Sequence, residues 1–87
     1  VLRGSDRRLA DEYVVLTAHL DGLGRGAAVA GDSIYNGAMD NATGVAILFE
    51  VARALQASRT KPKRSILFLA VTAEERGLLG SDYYAEN

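Results

Sequence analysis

Two short runs of aliphatic and β-branched residues bracket one long apolar segment, and this arrangement leaves few ways for the chain to fold. Tyr13-Val14-Val15-Leu16-Thr17-Ala18 and Ser65-Ile66-Leu67-Phe68-Leu69-Ala70-Val71-Thr72 are nearly continuous apolar runs rather than alternating ones. That is the signature of strands covered on both faces in a parallel sheet. Between them, residues 42–57 are apolar at 42, 45–49, 51, 52, 54 and 55. Glu50, Arg53 and Gln56 are the charged or amide interruptions, so the pattern predicts a core helix buried on most sides. Strand, helix, strand in this order predicts a right-handed parallel crossover.

The helix is preceded by Tyr35-Asn36-Gly37-Ala38-Met39-Asp40-Asn41-Ala42-Thr43-Gly44. Asp40 and Asn41 are both competent to cap the free N–H groups of the first turn. One cap suffices. If Asn41 takes that role, Asp40 is free to direct its carboxylate at something held over the helix mouth.

Other segments read more simply. Val1 to Glu12 is polar and reads as a leading surface turn without chemistry. Residues 21–36 carry glycines at 22, 24, 26 and 31, a connection long enough to be a functional loop, with a small hairpin turning at Gly31-Asp32. Ser58 to Lys63 is basic and contains Pro62, as suits a helix C-terminus. Gly77 to Glu86 reads as a short amphipathic helix whose Gly80 permits close packing.

Composition narrows the function classes. At 87 residues, 48% hydrophobic and 24% charged, the chain has room for one globular domain at most. A net charge of −1 with both signs dispersed gives no basic stripe for nucleic acid. No apolar stretch reaches membrane-spanning length and no signal-peptide pattern is present. Cysteine is absent, which excludes disulfides and thiolate metal sites.

The polar residues converge on this scaffold. The carboxyl ends of parallel strands share one sheet edge, and the intervening helix starts from it, so His19, Asp21, Asp40, Glu74 and Glu75 can meet. Residues two apart on a strand face the same way, which puts His19 and Asp21 on one side. One imidazole and several carboxylates point to zinc, which takes nitrogen and oxygen donors and needs three protein ligands in a catalytic site. With an extended backbone, Glu74 and Glu75 point in different directions, one toward metal and the other toward water. Each residue alone has a plainer reading: His19 as a structural histidine, Asp40 as a helix cap, Asp21 as a turn residue, and Glu74-Glu75 as a solvated helix entrance favoured by the macrodipole.

HLDGLG at 19–24, GDSIYNGAMDNATGVA at 31–46 and FLAVTAEERGLLGSDYYA at 68–85 resemble the co-catalytic zinc peptidases of the secreted bacterial aminopeptidase type, which are related to glutamate carboxypeptidases. The resemblance covers nearly the whole chain. It implies a three-layer α/β/α fold with a mostly parallel central sheet, of which residues 1–87 would be a βαβα fragment from the N-terminal part of the catalytic domain. It also implies two zinc ions. His19 would ligate one, Glu75 the other and Asp40 would bridge them, while Glu74 acts as general base and Asp21 orients His19. The expected substrate is a peptide or aminoacyl compound, and the expected setting is secreted or periplasmic. In such peptidases a further Asp, downstream of these motifs, completes the zinc held by His19 and a further downstream His the one held by Glu75, so each metal is expected to lack one ligand within residues 1–87, where His19 is the single histidine. Many similar proteins carry His where Gly22 stands. Three other functions stay open: a related di-zinc peptidase with the same HxD, Asp and EE order, a glutaminyl-cyclase-like zinc acyltransferase, and a non-catalytic peptidase-like interaction domain.

Overall fold

The computed structural model describes all 87 residues, and its organising feature is a parallel strand pair. Strand β1 (Tyr13–His19) pairs with β4 (Ser65–Val71) in a register that sets Tyr13 opposite Ser65 and His19 opposite Val71. Because the two strands end level, the chain leaves both at the same edge. The backbone N–H of Leu20 extends the ladder by one bond to the Val71 carbonyl, 2.9 Å away.

The glycine-rich connection after β1 is an antiparallel hairpin rather than an unstructured loop. Strand β2 (Gly24–Val29) turns through Ala30 and Gly31 into β3 (Asp32–Tyr35). The hairpin foreseen at Gly31-Asp32 is therefore present, and it is larger than the dipeptide alone implies. Helix α1 (Thr43–Ala57) follows and packs on β1 and β4. Its C-terminal carbonyls are covered by Lys61, whose Nζ donates to the Leu55 and Gln56 oxygens at 3.2 and 2.7 Å. A single 3₁₀ turn (Glu74–Arg76) leads to helix α2 (Leu79–Glu86). Gly80 lies so close to the Thr72 backbone that a Cβ there would overlap the Thr72 carbonyl oxygen.

Three expectations are corrected. The leading segment is not a bare surface turn: Leu2 bridges to Ile66, the Ser65 hydroxyl donates to the Ala10 carbonyl at 2.6 Å, and Ala10 is buried. It adds an antiparallel partner beside β4. Helix α1 is not buried on most sides, since none of its residues is buried and Phe49 is 73% exposed. Nor is β1 covered on both faces, since Tyr13, Val14 and Val15 are exposed. The physical reason is the same in both cases. Two parallel strands and one helix provide a single layer contact, so the remaining apolar faces have nothing to pack against.

The dimensions agree. The chain measures 55 × 30 × 10 Å with a radius of gyration of 16.5 Å, where a compact chain of this length would have about 12 Å. Its accessible surface is 6658 Å², against about 5,000 Å² for a compact protein of this mass. No helix is long and apolar enough to cross a membrane.

Candidate metal and catalytic site

The level ends of β1 and β4 fix where the polar residues gather. His19 is the last residue of β1 and its side chain is only 9% exposed. Asp21 lies two residues on, and Glu74 follows β4 by three residues, so the strand register alone brings them to one edge.

Asp40 arrives from the helix mouth. Gly37, at φ +65°, turns the chain, and the Ala42 N–H returns to the Gly37 carbonyl at 2.9 Å to close a π-type turn over Ala38–Ala42. Within it Asp40 and Asn41 lie outside helical φ/ψ, and the peptide bond between them is cis. A Cβ on Gly37 would sit 2.9 Å from the Asp40 carbonyl oxygen, so both the positive φ and the space favour glycine. The Asn41 side-chain oxygen accepts the Gly44 N–H at 2.9 Å, which satisfies one N–H of the opening turn of α1. Asp40 is thereby released, and its Oδ1 meets His19 Nε2 at 2.9 Å.

The imidazole is held from both sides. Nδ1 donates to the Asp21 backbone carbonyl at 3.1 Å and lies 3.5 Å from the Asp21 carboxylate. Nε2 faces Asp40 and, at 3.8 Å, Glu74 Oε2. A backbone carbonyl can only accept, so the contact with Asp21 places a proton on Nδ1. Burial of the ring is the largest single influence on its pKa and lowers it. The hydrogen bonds to Asp21 and Asp40 and the negative charges of Glu74 and Asp40 together outweigh burial and hold it above the usual 6.5.

Glu74 and Glu75 are not extended, as the sequence reading had them, but lie in the 3₁₀ turn. Successive residues of such a turn are about 120° apart, so the two carboxylates still diverge. Glu74 turns toward His19, and its N–H makes a long 3.5 Å contact with Asp21. Glu75 instead lines a cleft of about 260 Å³ together with Asp40. Leu23, Tyr35 and Met39 form the apolar wall of that cleft and were not singled out from the sequence. The available clue was their nearness to Asp21, Gly37 and Asp40 in the chain.

The donor chemistry suits zinc. An imidazole nitrogen and a carboxylate oxygen face each other, and the second ring nitrogen is fixed by an acidic residue, as in histidines that bind metal. His19 Nε2, Asp40 and Glu74 bring nitrogen and oxygen atoms of the kind zinc takes to one place. No group of three or more histidine or carboxylate side chains is gathered closely enough to enclose an ion. The residues fit zinc by type and by pairing, and two of them, His19 and Asp40, already stand in contact.

Comparison with known proteins agrees with this chemistry. The family model described as Peptidase family M28 matches residues 1–87. A protein of Caenorhabditis elegans called "Glutamate carboxypeptidase 2 homolog" is 37% identical over 89 residues, covering 98% of the chain and 10% of that protein. "Aminopeptidase NAALADL1" of Rattus norvegicus is 41% identical over 80 residues, covering 87% of the chain and 9% of that protein. A "Probable zinc metalloprotease" of Pyrenophora tritici-repentis is 48% identical over 50 residues, covering 58% of the chain and 10% of that protein. The chain thus spans about a tenth of the length of the curated relatives it matches. No solved structure matches it.

Proposed function

Since the chain belongs to peptidase family M28, we propose that it supplies the N-terminal part of a zinc peptidase domain that hydrolyses peptide or aminoacyl bonds. The observation that carries the reading is the His19 Nε2–Asp40 Oδ1 contact at 2.9 Å, flanked by Glu74 and steadied by Asp21. His19 would hold one zinc and Glu75 a second, with Asp40 shared between them. When bound, zinc would supply Lewis-acid chemistry, polarising the scissile carbonyl and activating water for attack.

The chain's own residues do the rest. Asp21 keeps the His19 ring in place and supports its basicity through Nδ1. Glu74, 34% exposed and turned toward His19, takes the proton from the attacking water and passes it to the leaving amine. A base of this kind contributes on the order of 10²–10⁴ in rate. Leu23, Tyr35 and Met39 offer substrate an apolar surface along one side of the cleft. Within the 87 residues each metal would have two of the three protein ligands that a catalytic zinc needs. Activity therefore requires donors from outside them, and the 87-residue chain alone is expected to be inactive.

Separating base from ligand tests the assignment. In the full-length protein that contains these residues, Glu74→Gln should retain zinc and lose turnover by about 10²-fold or more, because the amide keeps the shape and cannot take a proton. Glu75→Gln should lower zinc content. Near wild-type hydrolysis by Glu74→Gln would remove Glu74 as the base.

A further inference from the structure

Beyond the cleft that holds Asp40 lies a second, and it carries charge that the proposed chemistry does not use. Arg25 on β2 and Arg76 at the end of the 3₁₀ turn line one cleft of about 370 Å³ with Asp21, Leu23, Tyr35 and Glu75. The arginines that do form ion pairs are Arg53 with Glu50 and Arg64 with Glu12. Arg25 and Arg76 form none, even though Asp21 and Glu75 share their cleft.

The two clefts adjoin, since Leu23, Tyr35 and Glu75 border both. Tyr35 is a fixed partition between them. Its hydroxyl donates to the Ala27 carbonyl at 3.0 Å, and its ring lies so close to Gly26 that a Cβ there would come within 2.9 Å of it. A peptide crossing Asp40 and Glu75 and continuing past Tyr35 would enter the cleft that Arg25 and Arg76 line. Each guanidinium offers a planar fork of N–H donors that matches a carboxylate.

We propose that Arg25 and Arg76 form a carboxylate-binding subsite, making them specificity-determining residues for a substrate that carries a carboxylate on the side of Glu75 away from Asp40. The direction in which substrate lies rests on the peptidase reading above. The carboxylate is either an acidic side chain or the free C-terminus of the peptide. Both present the same group, and the experiment separates them.

The test is calorimetric binding to the zinc-free, full-length protein, so that turnover plays no part in the readout. Three probes differ only in charge: N-acetyl-glutaminamide has no carboxylate, N-acetyl-glutamate α-amide has the side-chain one, and N-acetyl-glutamine has the terminal one. At least one acid should bind on the order of 10-fold more tightly than the neutral amide, and R25Q and R76Q should each remove most of that preference. The acid that gains identifies the source of the carboxylate. Equal binding of all three probes, no binding of any, or a preference that survives both substitutions would overturn the subsite. Where glutamine at either position prevents folding, R25K and R76K decide: a preference reduced several-fold supports the subsite, and an undiminished one overturns it. A protein that binds the acids but shows no zinc-dependent hydrolysis would sink the peptidase reading alone.

Discussion

His19 concentrates the electrostatics of the site because three carboxylate-bearing residues converge on one nearly buried ring. Its pKa is raised in the folded chain, and the linkage sign follows. In the metal-free protein its contribution to stability is complete below the unfolded value of about 6.5 and is lost as pH rises through the folded value. In the zinc-binding role proposed for it His19 would have to give up the Nε2 proton, so protons would compete with metal over a range that reaches above 6.5. Zinc affinity of the full-length protein should therefore fall steadily as pH drops from about 8 to 6, and the His19→Ala protein should be weaker throughout with a flatter profile. Titrations across that range decide, and equal slopes for the two proteins would exclude His19 from the metal. The residue types of this cluster were legible in the sequence, because HxD, Asp40 and Glu74-Glu75 fall at the ends of recognisable elements. The apolar wall was not. Leu23, Tyr35 and Met39 are ordinary residues until the hairpin and the turn before α1 bring them around one cleft.

At the scale of elements, the strand pair decides most of what matters. The level ends of β1 and β4 bring His19, Asp21 and Glu74 together, and α1 delivers Asp40 to the same edge. The strands and α1 were readable from apolar runs and caps, to within a residue at their ends. The hairpin was only partly readable, because Gly24 to Val29 is glycine- and alanine-rich with no alternating pattern, and its pairing depends on Tyr35 closing over it. The role of the leading segment was invisible, since a single buried Ala10 and one bridge from Leu2 leave no periodicity to detect. Helix α2 depends on a close approach that the sequence did indicate, at Gly80. Alanine there gains about 1 kcal/mol of helix propensity. It also drives a methyl into the Thr72 backbone, and such overpacking costs about 1–3 kcal/mol. The clash involves backbone rather than a mobile side-chain end, so the second effect should win. Gly80→Ala should lower the melting temperature of the full-length protein, and an unchanged or higher one would mean that α2 does not seat on Thr72 as described.

Taken whole, the 87 residues form a plate about 10 Å thick rather than a closed core. Exposed Phe49, Ile47, Tyr13 and Val15 are the residues that a larger α/β sheet would cover. Val45, Leu48, Phe49, Ala52, Phe68 and Ala70 line an apolar groove between α1 and β4, while Tyr13 and Val15 lie with Leu67 on the other face of the sheet. Marginal burial of this kind does not offset the conformational entropy of folding. Expressed alone, the 87-residue chain should show no cooperative thermal transition, with or without zinc, and a sharp transition would show that it is self-sufficient. Asp40 tests the proposed metal site most directly, because both zinc ions would share that carboxylate. Metal analysis of the purified full-length protein should find two zinc equivalents per chain in the wild type and fewer than one in Asp40→Asn. Two equivalents in both proteins would contradict the account.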